Sequence, residues 1–261
     1  MRKEKIKSLI NSILSPSLKQ RLWGKKFWKR WPPGGWIRFG SLRRLSPISS
    51  VFGFDRGLPI DRYYIERFLK ENAPYIRGHV LEVGDNTYTK KFGRNIIKSD
   101  VLHLTKDNPK ATIIADLTSA DSIPSNMFDC IILTQTLNQI FDIFSAIRHL
   151  YRILKPGGVL LATVPGISQI SRYDMKRWGD YWRFTTLSIK KLFEEVFPPY
   201  NIKINAYGNV LSAIAFLHGI AAEELKPEEL DFHDPDYEAV SYTHLRAHET
   251  RHDLVCRLLL E

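Results

Sequence analysis

Residues 79–84 read His79-Val80-Leu81-Glu82-Val83-Gly84: a short run of mostly β-favouring apolar residues holding one carboxylate and ended by a glycine. A run of this length without polar alternation is the pattern of a strand covered on both faces. Four more such runs follow, at residues 101–104, 112–115, 130–133 and 159–164. Between the last two, residues 140–154 have helical periodicity and stop at Pro156-Gly157-Gly158. Upstream, Tyr64, Ile65, Phe68 and Leu69 form the apolar face of a helix that Asp61 can cap. Downstream, the pattern predicts a helix near 187–196, a strand near 202–207, a helix near 210–225 and a last strand near 237–240. Strands alternating with helices predict an α/β fold, a parallel sheet with helices on both faces. Residues 105–111 are too few for a crossover helix, so that link is expected to be irregular.

The chain has 261 residues, 44% hydrophobic and 25% charged, which excludes wholesale disorder. Two cysteines, Cys130 and Cys256, cannot build a disulfide framework, and Cys130 reads as core. No run of about 18 apolar residues is present. The net charge of +10 is concentrated at one end. Residues 1–46 hold 13 Lys/Arg and one acid, Glu4, and the rest is nearly neutral. A near-neutral body argues against nucleic-acid binding by the main domain.

Three segments are therefore expected: a basic N-terminal arm (1–50), a catalytic or binding domain (51–240) and a tail (241–261). Residues 1–22 read as an amphipathic helix broken by Pro16, without the small-residue cleavage site of a signal peptide. Residues 23–46 gather Trp23, Trp28, Trp31 and Trp36 among lysines and arginines. That mixture suits peripheral contact with a membrane, and equally an arm wrapped on the domain or a partner. Lacking a signal peptide and a disulfide framework, the protein is expected in the cytoplasm, with any membrane contact at the inner face. The tail resembles a translated sequencing-adapter read and is expected to be non-native. His244, His248 and His252 within it would share a face if helical, but no metal site is expected.

In an open parallel sheet, ligands bind beyond the carboxyl ends of the strands. Those ends carry Glu82, Gly84 and Asp85; His103; Asp116 and Leu117; and Thr134 and Gln135. Carboxylates there suit ligand hydroxyls and amines rather than phosphates. Neither a P-loop nor a G-x-G-x-x-G turn is present, which argues against nucleotide triphosphates and nicotinamide dinucleotides.

Val80-Leu81-Glu82-Val83-Gly84, Ile114-Ala115-Asp116-Leu117, Phe128-Asp129-Cys130-Ile131-Ile132-Leu133 and Leu154-Lys155-Pro156-Gly157-Gly158 occur in that order. Together they resemble a class I S-adenosylmethionine-dependent methyltransferase of the type-11-like group often found beside glycosyltransferases. Asp180-Tyr181-Trp182-Arg183-Phe184-Thr185 resembles a further signature of that group. The resemblance covers roughly residues 51–240. It implies a Rossmann-like seven-stranded, mostly parallel sheet with a terminal antiparallel strand, and S-adenosylmethionine as cofactor. It places Glu82 and Gly84 against the donor's amino-acid part, Asp116 and Leu117 near adenine, and Thr134 and Gln135 beside the methyl group, with Asp85 and His103 also among the donor-binding residues. Two departures stand out: the glycine loop is reduced to Gly84-Asp85-Asn86-Thr87-Tyr88, and His103 stands near the place of the usual ribose-binding acid.

Residues 169–185, which follow the fifth strand, mix aromatics with acids and arginines and are the expected acceptor-recognition segment. Such a surface suits a small molecule, a sugar or a lipid-linked glycan, methylated on oxygen. Asp174 and Asp180 are the candidate bases. The rival readings are a non-catalytic scaffold with this fold and an oxidoreductase on a similar sheet.

Overall fold

A computed structural model describes residues 36–247. The chain divides into two units, residues 1–45 and 46–261. In the first, the described residues form one helical turn, Gly40–Leu42, with no buried side chain. The expected helix at 1–22, Trp23, Trp28, Trp31, His248, His252 and Cys256 lie outside the described residues.

The second unit is a seven-stranded sheet. Its strands are β1 (Gly78–Val83), β2 (Ile96–His103), β3 (Ile113–Ile114), β4 (Phe128–Thr134), β5 (Leu154–Pro165), β6 (Ile202–Tyr207) and β7 (Val240–Arg246). They lie side by side in the order β3-β2-β1-β4-β5-β7-β6. β7 is antiparallel to both of its neighbours, and the other pairings are parallel. The antiparallel strand is thus last among the described strands in sequence but interior in the sheet. The helices are α1 (Ile60–Glu71), α2 (Thr87–Phe92), α3 (Ile143–Ile153), α4 (Arg172–Met175), α5 (Thr186–Glu194), α6 (Val210–Leu217) and α7 (Pro227–Asp231).

Period-two alternation sends β4 into two cores. Ile131 and Leu133 pack with Ile147 and Leu150 of α3 and Phe193 of α5. Cys130 and Ile132 pack with Tyr64 and Phe68 of α1 and Phe216 of α6. Both faces are buried, which is why the strand sequence shows no polar alternation. Asp142 caps α3 through Ser145 N, and Thr185 and Asn209 cap α5 and α6.

Several boundaries differ from expectation. α1 begins one residue before Asp61, after Pro59, whose fixed φ suits a helix start; Asp61 is not the N-cap but lies in the first turn, where its Oδ1 accepts from Arg62 N. The link between β2 and β3 has no helix, as its length requires. A helix that the sequence reading missed, α2, follows β1. Pro156-Gly157-Gly158 does not separate helix from strand; β5 already starts at Leu154 and runs through it. The helix expected at 210–225 ends at Leu217, because Gly219 turns the chain at φ +66°.

The largest correction is the last strand. It was expected at 237–240 but occupies Val240–Arg246, inside the stretch read as a non-native tail. Ser241, Thr243 and Leu245 alternate with Tyr242, His244 and Arg246, and the backbone pairs with β5 on one side and β6 on the other. His244 is therefore on a strand, not on one helix face with His248 and His252. It meets the ring of Tyr75 edge-on at 4.4 Å, and its Nδ1–H donates to Asn72 Oδ1 at 2.8 Å.

Candidate active site

β1 and β4 are the central neighbours from which the strand order departs in both directions, and their carboxyl ends open onto a cavity of about 750 Å³. That volume suits a small-molecule site. Every residue nominated from the sequence lines it: Glu82, Gly84 and Asp85, His103, Asp116 and Leu117, Thr134 and Gln135, and Asp174 and Asp180. They play different parts there.

Glu82 is 2% exposed. Its Oε1 accepts from Tyr88 N at 3.0 Å; its Oε2 accepts from Thr89 N at 2.8 Å and Thr89 Oγ1 at 2.7 Å. The carboxylate thus satisfies the free N–H groups at the start of α2. Burial raises its pKa, and these hydrogen bonds oppose the rise. Glu82 shapes the turn after β1 and pairs with no lysine among the described residues. Gly84 sits at φ +86°, and a Cβ added there would have no heavy atom within 4 Å. Its carbonyl accepts from Asn108 Nδ2 at 2.6 Å, so the irregular link between β2 and β3 braces the turn. Asp85 accepts from Thr87 N at 2.9 Å and faces Lys110 at 3.8 Å.

At the end of β2, the His103 ring lies edge-on to Trp178 at 5.2 Å, and Thr105 O is 2.9 Å from its Nδ1. After β3, Asp116 Oδ1 accepts from Thr118 N and Thr118 Oγ1, both at 2.8 Å. It caps the turn Leu117–Ser119 with one oxygen, and its other oxygen has no hydrogen bond among the described residues. After β4, Gln135 takes φ +48°, an uncommon left-handed conformation for a residue with a side chain. Strained positions of this kind concentrate at functional sites.

The two candidate bases part company. Asp180 is engaged on both oxygens. Arg183 donates to Oδ1 at 2.6 Å and Oδ2 at 2.9 Å, Ser171 N donates to Oδ2 at 3.0 Å, and Asn138 Nδ2 lies 3.4 Å from Oδ1. Burial pushes its pKa up, but Arg183 and the other donors outweigh this and hold it below the usual carboxylate range. A carboxylate held so is a poor proton acceptor, so the structure corrects the expectation of Asp180 as a base. It ties the 169–185 segment together. The Asp174 carboxylate, by contrast, makes no hydrogen bond or ion pair among the described residues, although the residue lines the same cavity.

Beside it are aromatic side chains. Phe141 is 71% exposed; its ring meets Tyr181 edge-on at 5.4 Å and stacks on Trp182 at 5.9 Å. Tyr181 N donates to Asn138 O at 2.8 Å and Trp182 Nε1 to Ile140 O at 3.0 Å, which fixes the group. Gly179, at φ +103°, passes close under the Tyr181 ring and leaves no room for a Cβ. The sequence reading gave Asp61 only a helix-capping role and did not nominate Arg62, Asn108 or Asn138. Arg62 and Asn108 carry no motif, and only the shortness of the link that holds Asn108 hinted at a special role.

A doubly wound sheet with its cavity at the switch point, carboxylates at the strand ends and a tight glycine turn defines a small-molecule-binding α/β protein. The profile of a methyltransferase-domain family matches residues 62–196, just over half of the chain, and the chain belongs to that family. It is a methyltransferase, and S-adenosylmethionine is its methyl donor. Among curated proteins nothing matches the chain. Solved structures similar to it include an S-adenosylmethionine-dependent methyltransferase from Archaeoglobus fulgidus (14% identity, 71% of this chain, 94% of that one, TM-score 0.47). Another is such an enzyme from Mesorhizobium loti (15% identity, 72% and 97%, TM-score 0.45). A third is the phosphoethanolamine N-methyltransferase 2 of Haemonchus contortus, solved with phosphomonomethylethanolamine and S-adenosylhomocysteine (14% identity, 72% and 53%, TM-score 0.47).

The residues present fit the donor. The space above Gly84 is open, and the unbonded oxygen of Asp116 can accept an exocyclic amine.

Proposed function

We propose that this methyltransferase acts on a hydroxyl of a sugar-like acceptor, with Asp174 as general base. The observation that carries the reading is the unpartnered Asp174 carboxylate sharing one cavity with the fixed rings of Tyr181, Phe141 and Trp178. A sugar offers an apolar ring face to an aromatic side chain and hydroxyls to a carboxylate. S-adenosylmethionine supplies a methyl group already activated on a sulfonium, so the chain's task is to align and to remove a proton. Gly84 and the turn held by Glu82 would lie against the donor's amino-acid part. Asp116 and Leu117 would hold adenine, His103 the ribose, and Thr134 and Gln135 the methyl end. Asp174 would take the acceptor hydroxyl's proton.

The test is calorimetric titration with S-adenosylhomocysteine, followed by acceptor screening with monosaccharides and lipid-linked glycans. Asp174→Asn is expected to lower turnover by about two orders of magnitude or more, at unchanged S-adenosylhomocysteine affinity. Full turnover in that variant would remove Asp174 from the chemistry.

A further inference from the structure

One cation in the cavity makes no close ion pair among the described residues. Arg62 lies in the first turn of α1 and lines the cavity beside Gly84, Asp85 and Tyr88. Its Nη1 donates to Tyr88 Oη at 3.0 Å, and no carboxylate among the described residues forms an ion pair with it. Arg183, which also lines the cavity, is committed to Asp180. An arginine is seldom half-buried without an anionic partner, and its planar fork matches a carboxylate in two parallel hydrogen bonds.

Two acids flank this cation without a hydrogen bond from its guanidinium; burial lowers its pKa, but the charges of Asp61 and Asp85 and the contact with Tyr88 outweigh this and raise it. Asp61 Oδ1 accepts from Arg62 N at 2.8 Å, and its Oδ2 makes no hydrogen bond among the described residues. Asp85 is turned to Thr87 N and Lys110. A guanidinium between two carboxylates, beside an open glycine turn, is the electrostatic complement of a zwitterion. Burial raises the pKa of Asp61, partly opposed by the Arg62 charge and by backbone hydrogen bonds.

We infer that Arg62 binds the α-carboxylate of the methyl donor, with Asp61 beside it to receive the α-ammonium. The inference rests on the donor lying with its amino-acid end at Gly84. Tyr88 holds the guanidinium in place, so the fork is pre-set before the ligand arrives.

The test compares two ligands by calorimetry on the full chain: S-adenosylmethionine and decarboxylated S-adenosylmethionine, which keeps the sulfonium and ammonium but lacks the carboxylate. The native protein is expected to prefer the first by roughly ten- to a hundredfold. Arg62→Met is expected to bind the decarboxylated ligand like the native protein and to lose the preference. Binding of that ligand shows at once that the variant is folded. Arg62→Lys, which keeps the charge and most of the stem, is expected to retain only part of the preference. A full preference in either variant overturns the assignment. So does an equal loss of both ligands in Arg62→Lys, which would mark Arg62 as structural. Absence of any preference in the native protein overturns it as well. Failure of the native protein to bind either ligand defeats the donor placement itself, a different result.

Discussion

At Gly84 the backbone is left-handed and the missing side chain leaves open space. Alanine there would carry both a conformational cost of about 1–2 kcal/mol and a methyl group projecting into the cavity. Gly84→Ala is therefore expected to weaken S-adenosylhomocysteine binding about tenfold or more, while urea unfolding shows a loss of on the order of 1 kcal/mol. A loss of stability without a loss of affinity would place the donor elsewhere. Residue by residue, the positions nominated from the sequence all line one cavity, but their hydrogen-bond partners were not legible. Gly84 and Asp116 were legible because strand ends in a parallel sheet have few other uses for a glycine or an exposed acid. Glu82 and Asp180 were not. Residue type and position reveal that a carboxylate is near the cavity, but not who donates to it. Glu82 is consumed by the N–H groups of α2, a helix whose six polar and aromatic residues show no apolar stripe. Asp180 is consumed by Arg183, three residues on, and by a backbone N–H nine residues back.

Among the elements, β7 shows most clearly where pattern reading fails. A strand buried on both faces is expected to be apolar, yet Ser241 and Thr243 are fully buried. Small hydroxyl side chains fit between sheet and helix where a larger polar group could not. The fit is incomplete, because Ser241 Oγ is buried without a hydrogen-bond partner. An unmet buried hydroxyl costs roughly 1–3 kcal/mol. Ser241→Ala is thus expected to stabilise the protein by about 1 kcal/mol, read as a higher urea midpoint at constant slope. A destabilised variant would mean that the hydroxyl has found a partner in solution. β1, β2, β4 and β5 were legible because their buried positions are filled largely by aliphatic residues. Their ends were less so. β2 reaches back to Ile96, since Ile96, Ile97 and Lys98 begin the strand at a partly exposed edge where apolar continuity is not required.

For the whole molecule, His244 couples the interior strand to the segment after α1. Burial, joined by the charges of Lys203 and Arg246, lowers its pKa to about 4. The native state thus holds it neutral, while the unfolded chain takes up a proton near pH 6.5. Between those values the unfolded state binds more protons, so stability is present above about pH 6.5 and is lost as the pH falls toward 4. The loss from this group is expected to be on the order of 2 kcal/mol, after allowance for its partial exposure. Urea unfolding at pH 7 and pH 4.5 measures it against His244→Gln, whose curve should fall less steeply. Identical pH profiles would show that His244 is not held neutral. At this scale the α/β class was legible from the alternation of strand and helix. The insertion of β7 between β5 and β6 was not, because nothing in a strand's own residues names its neighbours.

That insertion has a consequence for the order in which the chain leaves the ribosome. β6 has no partner until β7 has emerged, since β5 and β6 touch only through it. During synthesis two unpaired strand edges therefore wait side by side, and the carboxyl-terminal third of the sheet closes as a single late event. Any nascent chain arrested before residue 240 exposes both edges to its neighbours, which is the geometry from which intermolecular pairing begins.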